Sequence, residues 1–300
     1  MKQVYTLEDL VSRDWLDAGY TKPARLAVIG HPIAHSASPR MHQAALDSLG
    51  IHARYVRIDI QPGQVADAFA QMRALGFIGC NVTVPHKLEA MECCDVSPEA
   101  LALGAVNTIR FDSDTTRGFN TDGPGFAIAI EEDFKVPLAS LNVLIAGAGG
   151  GAGQAIATQC CLQSVRKLVM INRSLDKLAN LREKLHAVSP NTEIKAFSFD
   201  DPALAEACLS CDLIVNTSSV GLKPSDPSIL PVSCLSRDHL VYDTIYQPPM
   251  TPLLVAAESL GCQTANGLSM LIHQGALAFQ YWFAGAPPLA VMRDAMRALD

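Results

Sequence analysis

A short apolar segment that runs directly into a glycine-rich turn constrains the fold of this chain more than any other feature. Residues 142–146 have the pattern of a buried strand, and Gly147-x-Gly149-x-x-Ala152 follows at once and opens a helical segment. The first glycine permits a tight turn, the second lets the backbone approach a pyrophosphate, and the small third residue allows close helix–strand packing. Free N–H groups at the helix N-terminus favour phosphate binding. The motif predicts a Rossmann-type dinucleotide site rather than a flexible glycine-rich loop.

Strand and helix patterns alternate in two series, which predicts two α/β domains with mostly parallel sheets. In the first series, strands are predicted at 25–30, 54–60 and 77–84, with helices at 38–50 and 62–75. Ser38 is the predicted N-cap of the first helix, and Pro39 follows it at the first helical position. The second domain is predicted over about 123–266, with strands at 142–146, 167–171, 193–197, 212–215 and 240–243. An apolar helix over 267–284 is expected to return to the first domain.

Composition excludes several other classes of protein. The chain has a formal net charge of -7 and no dense run of Lys or Arg, so no nucleic-acid partner is expected. No secretory signal and no apolar stretch of about 18 residues is visible, so no membrane association is expected. The nine cysteines, an odd number, indicate reduced thiols and a cytoplasmic location. No metal site is expected, because His31 and His35 lie in a loop and have no third ligand.

The end of the strand after the glycine turn indicates which dinucleotide is bound. NAD-dependent proteins usually carry Asp or Glu there for the ribose 2′-hydroxyl, whereas an Arg accommodates a 2′-phosphate. This chain has Asn172-Arg173-Ser174, and Lys177 follows one turn later. A guanidinium can bind the 2′-phosphate through two hydrogen bonds. The sequence therefore predicts NADP(H) rather than NAD(H).

Polar clusters also follow the strands of the first domain, where open parallel sheets place their ligands. They are His35-Ser36-Ala37-Ser38, Asn81 to Lys87, Asn107-Thr108 and Asn120-Thr121-Asp122-Gly123. Neutral hydroxyls and amides suit a polyhydroxylated substrate, and a lysine and an aspartate suit proton transfer. Taken singly, Asp122 is also typical of a cap or turn, and Lys87 of an exposed surface lysine.

Together these segments resemble the shikimate dehydrogenase family, from about residue 25 to residue 285. The similar motifs are Gly30-His31-Pro32-Ile33-Ala34-His35-Ser36-Ala37-Ser38-Pro39, Asn81-Val82-Thr83-Val84-Pro85-His86-Lys87, Gly104-Ala105-Val106-Asn107-Thr108, Asn120-Thr121-Asp122-Gly123, Asn172-Arg173-Ser174, Asp243-Thr244-Ile245-Tyr246 and Met270-Leu271-Ile272-His273-Gln274-Gly275-Ala276. Motifs of both domains recur in the family's order.

The resemblance implies a substrate domain of residues 1–122 plus 267–300, an NADP domain of residues 123–266, and an active site in the cleft that joins them. It implies that Lys87 and Asp122 form the catalytic acid–base pair. The residues implied to hold the substrate are Ser36, Ser38, Thr83, Asn107, Tyr246 and Gln274. Those implied to contact the cofactor are Gly147, Gly149, Gly150, Asn172, Arg173, Ser174, Thr217, Gly267 and Met270.

The implied reaction is the reversible, NADPH-dependent reduction of 3-dehydroshikimate to shikimate in aromatic amino-acid biosynthesis, by a monomer or homodimer. Three alternatives remain open: a quinate dehydrogenase, an aminoshikimate-type enzyme, and a non-catalytic ligand sensor built on the same fold. The chain departs from the family pattern at His31, Ala37 and Asn266, and residues 1–24 precede the family's usual start.

Overall fold

The computed structural model describes residues 2–297 and divides into two compact units. Unit 1 comprises the chain up to Thr121 together with the residues from Ile272 onward, and unit 2 comprises Asp122–Leu271. The divisions therefore fall at 121/122 and 271/272, against predicted divisions at 122/123 and 266/267. Residue 1 and residues 298–300 of the predicted first domain lie outside the described residues.

Unit 1 is built on a seven-stranded sheet that is mostly parallel. The strand order is β1-β3-β2-β4-β6-β7-β5, and only the β4–β6 and β6–β7 pairs are antiparallel. The strands are β1 Val4–Thr6, β2 Ala24–Gly30, β3 Arg54–Asp59, β4 Gly79–Val82, β5 Asp95–Val96, β6 Thr108–Phe111 and β7 Thr116–Phe119. The helices are α1 Arg13–Leu16, α2 Ser38–Ser48, α3 Val65–Ala74, α4 Lys87–Glu92 and α5 Pro98–Leu103, with a 3-10 turn at Leu7–Asp9.

The N-terminal segment, which the sequence left without a role, completes the edge of this sheet. Strand β1 pairs with β3 in parallel register, Tyr5 opposite Ile58. Tyr5, Leu10 and Leu16 are buried in the core of unit 1. Burial of large apolar side chains is the main favourable term in folding, so this segment is an integral part of unit 1.

Unit 2 is a six-stranded, wholly parallel sheet in the order β10-β9-β8-β11-β12-β13. Counted from β8, this is the 3-2-1-4-5-6 order of the doubly wound Rossmann fold, which confirms the predicted fold class. The strands are β8 Val143–Ala146, β9 Lys167–Ile171, β10 Glu193–Phe197, β11 Leu213–Asn216, β12 Leu240–Asp243 and β13 Gln263–Asn266. The helices are α6 Asp122–Phe134, α7 Gly151–Leu162, α8 Leu175–Val188, α9 Leu204–Leu209 and α10 Pro252–Ser259, with 3-10 turns at Leu138–Ser140 and Val232–Cys234.

The last two helices are α11 Leu268–Trp282 and α12 Leu289–Arg297, and from Ile272 onward they belong to unit 1. The Trp282 indole N–H donates to the Ile109 carbonyl of β6 at 2.8 Å. Gly275 approaches α2 so closely that a Cβ there would lie 2.2 Å from the Met41 Cε. The tail of the chain is thus packed into the fold of unit 1.

Two predicted helix starts are wrong. Ser38 is the first residue of α2 rather than its N-cap, because Ala37 already has helical backbone angles, and the Ser36 hydroxyl accepts from the Ser38 N–H at 3.4 Å. Helix α3 begins at Val65 rather than at Pro62. The Glu89 carboxylate, from α4, accepts the Val65 N–H at 3.0 Å and so supplies the cap from a distant part of the chain.

No helix among residues 2–297 combines the length and the apolar character that a membrane crossing requires.

Candidate active site

A cleft lies at the carboxyl ends of the unit 2 strands, where β8 and β11 run in neighbouring positions. This is the switch point at which open α/β sheets bind ligands. The cavity has a volume of about 770 Å³. Its lining residues follow strands β8, β9, β10 and β11, and are Gly147, Gly149, Gly150, Asn172, Arg173, Ser174, Lys177, Phe199, Thr217, Ser218, Ser219, Val220, Pro227, Ser228 and Ile229. Seven of the nine predicted cofactor residues are among them.

At two positions the glycine turn at the floor of the cleft leaves no room for a side chain. Gly147 has a φ of +85°, which side chains rarely tolerate, and a Cβ at Gly149 would lie 2.6 Å from the Asn172 Nδ2. At Gly153 a Cβ would lie 2.6 Å from the Gly147 carbonyl oxygen, whereas Ala152 is half-buried. The close contact between helix and turn therefore falls at Gly153, one residue after the predicted Ala152.

The charge of the cleft is positive. Arg173 and Lys177 are exposed at its edge, and among residues 2–297 no Asp or Glu lines it. Helix α7 begins at Gly151 directly behind the turn, so the N-terminal N–H groups of the helix face the same region. The cleft has the volume for a large ligand, glycines where a Cβ would clash, and the positively charged side chains of Arg173 and Lys177. These features fit a dinucleotide with an additional phosphate on its ribose.

One wall of the cleft is a loop that Asn216 holds in place at the end of β11. The Asn216 Oδ1 accepts from the Ser218 backbone N–H at 3.0 Å and from its hydroxyl at 2.8 Å. The Asn216 Nδ2 donates to the Val220 carbonyl at 3.0 Å. Ser218 and Val220 were not predicted from the sequence, although their position after a predicted strand end was the available signal.

Asp243, a fully buried carboxylate at the end of β12, fixes Asn216 in turn. It accepts from the Asn216 Nδ2 at 3.1 Å, from the Thr251 hydroxyl at 2.7 Å and from the Ile245 N–H at 3.0 Å. Burial raises the pKa of Asp243 above its usual range, although these hydrogen bonds oppose the shift. The same side chain therefore ties the cleft wall to the turn that carries Tyr246.

Four predicted residues of unit 2 lie outside this cleft: Gly267, Met270, Tyr246 and Asp122, the last of which is described below with Lys87. A Cβ at Gly267 would lie 2.0 Å from the Thr244 carbonyl oxygen, so a glycine is required where α11 approaches that turn. Met270 packs against the core of unit 2. Tyr246 is half-buried, and burial raises the pKa of its hydroxyl.

Three of the predicted substrate residues of unit 1 lie on or next to two adjacent loops: Ser36, Ser38 and Thr83. The loop after β2 carries Ser36, whose carbonyl accepts two hydrogen bonds from the Arg57 guanidinium, at 2.7 and 3.0 Å. The loop after β4 carries Thr83, and a Cβ on Gly30 would lie 2.7 Å from the Thr83 Cγ2. The His31 N–H donates to the Val84 carbonyl at 3.1 Å and joins the two loops.

The two predicted catalytic residues each begin a helix. Lys87 is the first residue of α4 in unit 1 and is half-buried, and its backbone carbonyl accepts from the Val106 N–H at 3.1 Å. Asp122 is the first residue of α6 and of unit 2, and it is 9% exposed. Gln274, also predicted to bind substrate, lies on the part of α11 that belongs to unit 1 and is half-buried.

Asn107 is held by a buried network of side chains. Its Oδ1 accepts from the Thr121 N–H at 2.8 Å and from the Thr108 hydroxyl at 3.0 Å, and its Nδ2 donates to the Thr121 hydroxyl at 3.0 Å. The Asn81 Nδ2 donates to the Thr108 hydroxyl at 3.2 Å, and the Asn81 Oδ1 accepts from the Tyr55 hydroxyl at 2.7 Å. No functional role was predicted for Tyr55 from the sequence.

The nine cysteines are free thiols, and Cys208 and Cys211 of the single CxxC motif are buried in an apolar cluster. Within residues 2–297 no group of three or more His, Cys, Asp or Glu side chains is arranged to hold a metal ion.

The fold and the cleft define a two-domain α/β protein of the dinucleotide-binding class. Family models for the shikimate dehydrogenase substrate-binding domain and the shikimate 5′-dehydrogenase C-terminal domain match residues 28–109 and 267–297. The chain belongs to the shikimate dehydrogenase family, as its motifs predicted.

Individual relatives match over almost the whole chain. The NADP(+) shikimate dehydrogenase of Symbiobacterium thermophilum is 42% identical, over 91% of this chain and 93% of that protein. A crystal structure of the Thermus thermophilus shikimate 5-dehydrogenase with NADP(H) and shikimate has a TM-score of 0.80 and 35% identity, over 92% of this chain and 99% of that one. A quinate dehydrogenase from Corynebacterium glutamicum in complex with NAD has a TM-score of 0.82 and 31% identity, over 91% of this chain and 98% of that one.

Proposed function

We propose that this chain is an NADP-dependent oxidoreductase that reduces 3-dehydroshikimate to shikimate, reversibly, in aromatic amino-acid biosynthesis. The observation that carries the proposal is the lining of the unit 2 cleft. It includes the positively charged side chains of Arg173 and Lys177 and, within residues 2–297, no acidic residue. A carboxylate at that edge would repel a ribose 2′-phosphate, whereas Arg173 can bind it. The sequence identity to relatives named as NADP(+) shikimate dehydrogenases supports the assignment of shikimate as the substrate.

The cofactor is assigned to the cleft on the fit of its residues. Gly147, Gly149 and Gly150 would receive the pyrophosphate, and Asn172, Arg173 and Ser174 the phosphorylated ribose. Thr217, whose hydroxyl donates to the Ala146 carbonyl at 2.9 Å, would border the cofactor from β11. Gly267 and Met270, which lie outside the cleft, are assigned to the cofactor by the family resemblance. When bound, NADPH supplies the hydride that reduces the ketone carbon.

The chain itself must supply the proton that completes the reduction. Negative charge develops on the substrate oxygen as the carbonyl is reduced, and a positioned donor lowers the free energy of that state. We assign the donor to the ε-amino group of Lys87, with Asp122 orienting both Lys87 and the reacting hydroxyl. The presence of both residues in their family motifs supports catalysis over a sensor function, which would need neither.

Substrate recognition is assigned to neutral polar groups that can donate and accept hydrogen bonds. These are Ser36, Ser38, Thr83, Asn107, Tyr246 and Gln274. The Arg57 clamp on the Ser36 carbonyl supports this role, because it fixes the loop that carries the two serines.

Quinate oxidation is the second candidate function. It is favoured by the similarity to the Corynebacterium quinate dehydrogenase, at 31% identity. Quinate carries one more ring hydroxyl than shikimate, and a pocket discriminates weakly against a single added group.

Initial rates of NADP⁺ and NAD⁺ reduction, each with shikimate and with quinate, test both candidates on one purified sample. We expect rapid turnover only with shikimate and NADP⁺. Preference for quinate would replace the substrate assignment, and preference for NAD⁺ would overturn the role of Arg173. Absence of turnover with every pair would favour an aminoshikimate-type enzyme or a sensor.

We propose that the protein is a monomer or homodimer in the cytoplasm and that it binds neither membranes nor nucleic acid. The net charge of -7 supports the last point, because nucleic-acid binding requires a basic surface. Gel filtration with light scattering would measure the mass.

A further inference from the structure

The network around Asn107 has a defined direction of hydrogen donation. Asn81 donates through Nδ2 to the Thr108 hydroxyl at 3.2 Å. A hydroxyl has a single proton, and that of Thr108 can then be given to the Asn107 Oδ1 at 3.0 Å. If the Asn81 amide were turned over, its oxygen would face Thr108 and would compete with Asn107 for that proton.

Tyr55 decides which way the Asn81 amide points. Its hydroxyl lies 2.7 Å from the Asn81 Oδ1, which can only accept a hydrogen bond. Burial raises the pKa of Tyr55 well above its ordinary value, so the hydroxyl stays protonated and stays a donor at neutral pH. The Tyr55 ring stacks on His42, with centroids 4.6 Å apart and an angle of 8° between the planes, and the stacking restricts the position of the hydroxyl.

The direction of donation in this network determines whether Asn107 presents a hydrogen-bond donor or an acceptor to a ligand. The Asn107 oxygen is saturated by the Thr108 hydroxyl and the Thr121 N–H. Its Nδ2 has two hydrogens, of which Thr121 receives one; within residues 2–297 the other has no protein acceptor. Asn107 is therefore set to act as a donor, which suits a carboxylate or hydroxyl oxygen of a small ligand.

We propose that Tyr55 is a positioning residue for substrate recognition, acting through Asn81 and Thr108 to hold Asn107 as a hydrogen-bond donor. The inference rests on the proposed function, since it takes Asn107 to contact the substrate. All four side chains of this network are at most 5% exposed, namely Tyr55, Asn81, Thr108 and Asn107. Water therefore does not readily replace a hydrogen-bonding group that is removed from the network.

Removal of one hydroxyl tests the proposal. Tyr55→Phe keeps the ring and deletes the first donor, and we expect the KM for shikimate to rise about 5- to 10-fold, as for one lost hydrogen bond. The KM for NADP⁺ and kcat should change less than about twofold, because Tyr55 acts only through the Asn107 amide, which is assigned to substrate binding. Tyr5→Phe is the matched control: Tyr5 is a buried tyrosine of the same unit whose hydroxyl accepts from Arg54 and does not touch Asn81.

Two variants of Thr108 distinguish a positioning role of Tyr55 from a purely structural one. Thr108→Val removes the relay hydroxyl at nearly constant volume and should reproduce the effect of Tyr55→Phe, whereas Thr108→Ser should restore the wild-type KM. Shikimate affinity measured by calorimetry should follow the same order. A wild-type KM for shikimate in both Tyr55→Phe and Thr108→Val overturns the proposal. Equal changes in the KM for shikimate and the KM for NADP⁺ overturn it as well. A wild-type protein that neither binds nor turns over shikimate overturns the proposed function, and this inference with it.

Discussion

Substitution of Gly149 by alanine tests the cofactor cleft at the point where its geometry is tightest. The new Cβ would lie 2.6 Å from the Asn172 Nδ2 and 2.8 Å from its Cγ. Ordinary contact needs about 3.5 Å, so the Asn172 side chain would have to retreat by about 1 Å. Such a retreat strains its hydrogen bond to the Ser174 carbonyl, 3.0 Å long, and displaces a residue that lines the cleft. Overpacking of this kind costs about 1–3 kcal/mol.

If that cost falls on the bound state, the affinity for NADP⁺ decreases by about 5- to 150-fold. The assay is calorimetric titration of NADP⁺, with the KM for NADP⁺ measured at saturating shikimate. Gly151→Ala is the matched control, because its Cβ would meet nothing within 4 Å. Alanine at the start of α7 should leave binding unchanged and leave stability equal or slightly higher. Equal affinities in the two variants would refute the assignment of the pyrophosphate to this turn.

Three further predictions follow from single residues. Arg173→Ser removes the guanidinium at the cleft edge, so the KM for NADP⁺ should rise about tenfold or more, while the KM for NAD⁺ stays within about twofold. Steady-state kinetics with both cofactors measure this, and a parallel rise of the two KM values would show that Arg173 does not bind the 2′-phosphate. Lys87→Ala should lower kcat by about 10²- to 10⁴-fold with little loss of shikimate affinity, and near-wild-type turnover would remove Lys87 from the mechanism. The pKa of Asp243 is raised above 3.8 in the folded state, so its carboxyl group stays protonated to a higher pH in the folded protein than in the unfolded chain. The free energy of unfolding, measured in urea relative to Asp243→Asn, should therefore fall as the pH rises from below 3.8 through the raised pKa, and a rise in this window would contradict the burial argument.

The lining of the unit 2 cleft was largely predictable from the sequence because its signals are local. The turn at Gly147 and Gly149 and the pair Asn172-Arg173 each follow a strand end directly, and a parallel sheet brings such ends together. The small position at Gly153 was misplaced by one residue, because the spacing of the motif does not show which Cα faces the Gly147 carbonyl.

Features that depend on distant residues were not predictable. Pro62 is a favourable first residue for a helix, yet α3 begins at Val65, where the Glu89 carboxylate from another helix accepts the free N–H. Tyr55 has the pattern of any buried strand residue, and its contact with Asn81 exists only because β3, β2 and β4 are neighbours in the sheet.

The division of unit 1 into two chain segments has a consequence for the order in which this protein folds during synthesis. Unit 2 is continuous from Asp122 to Leu271 and has all of its strands as soon as that stretch has left the ribosome. Unit 1 lacks the Trp282 indole against β6 and the helix packed on Met41 until residues 272–297 have been made. The seven-stranded sheet of unit 1 therefore lacks this part of its packing throughout the translation of unit 2, and unit 1 completes its fold last although its first strand is made first.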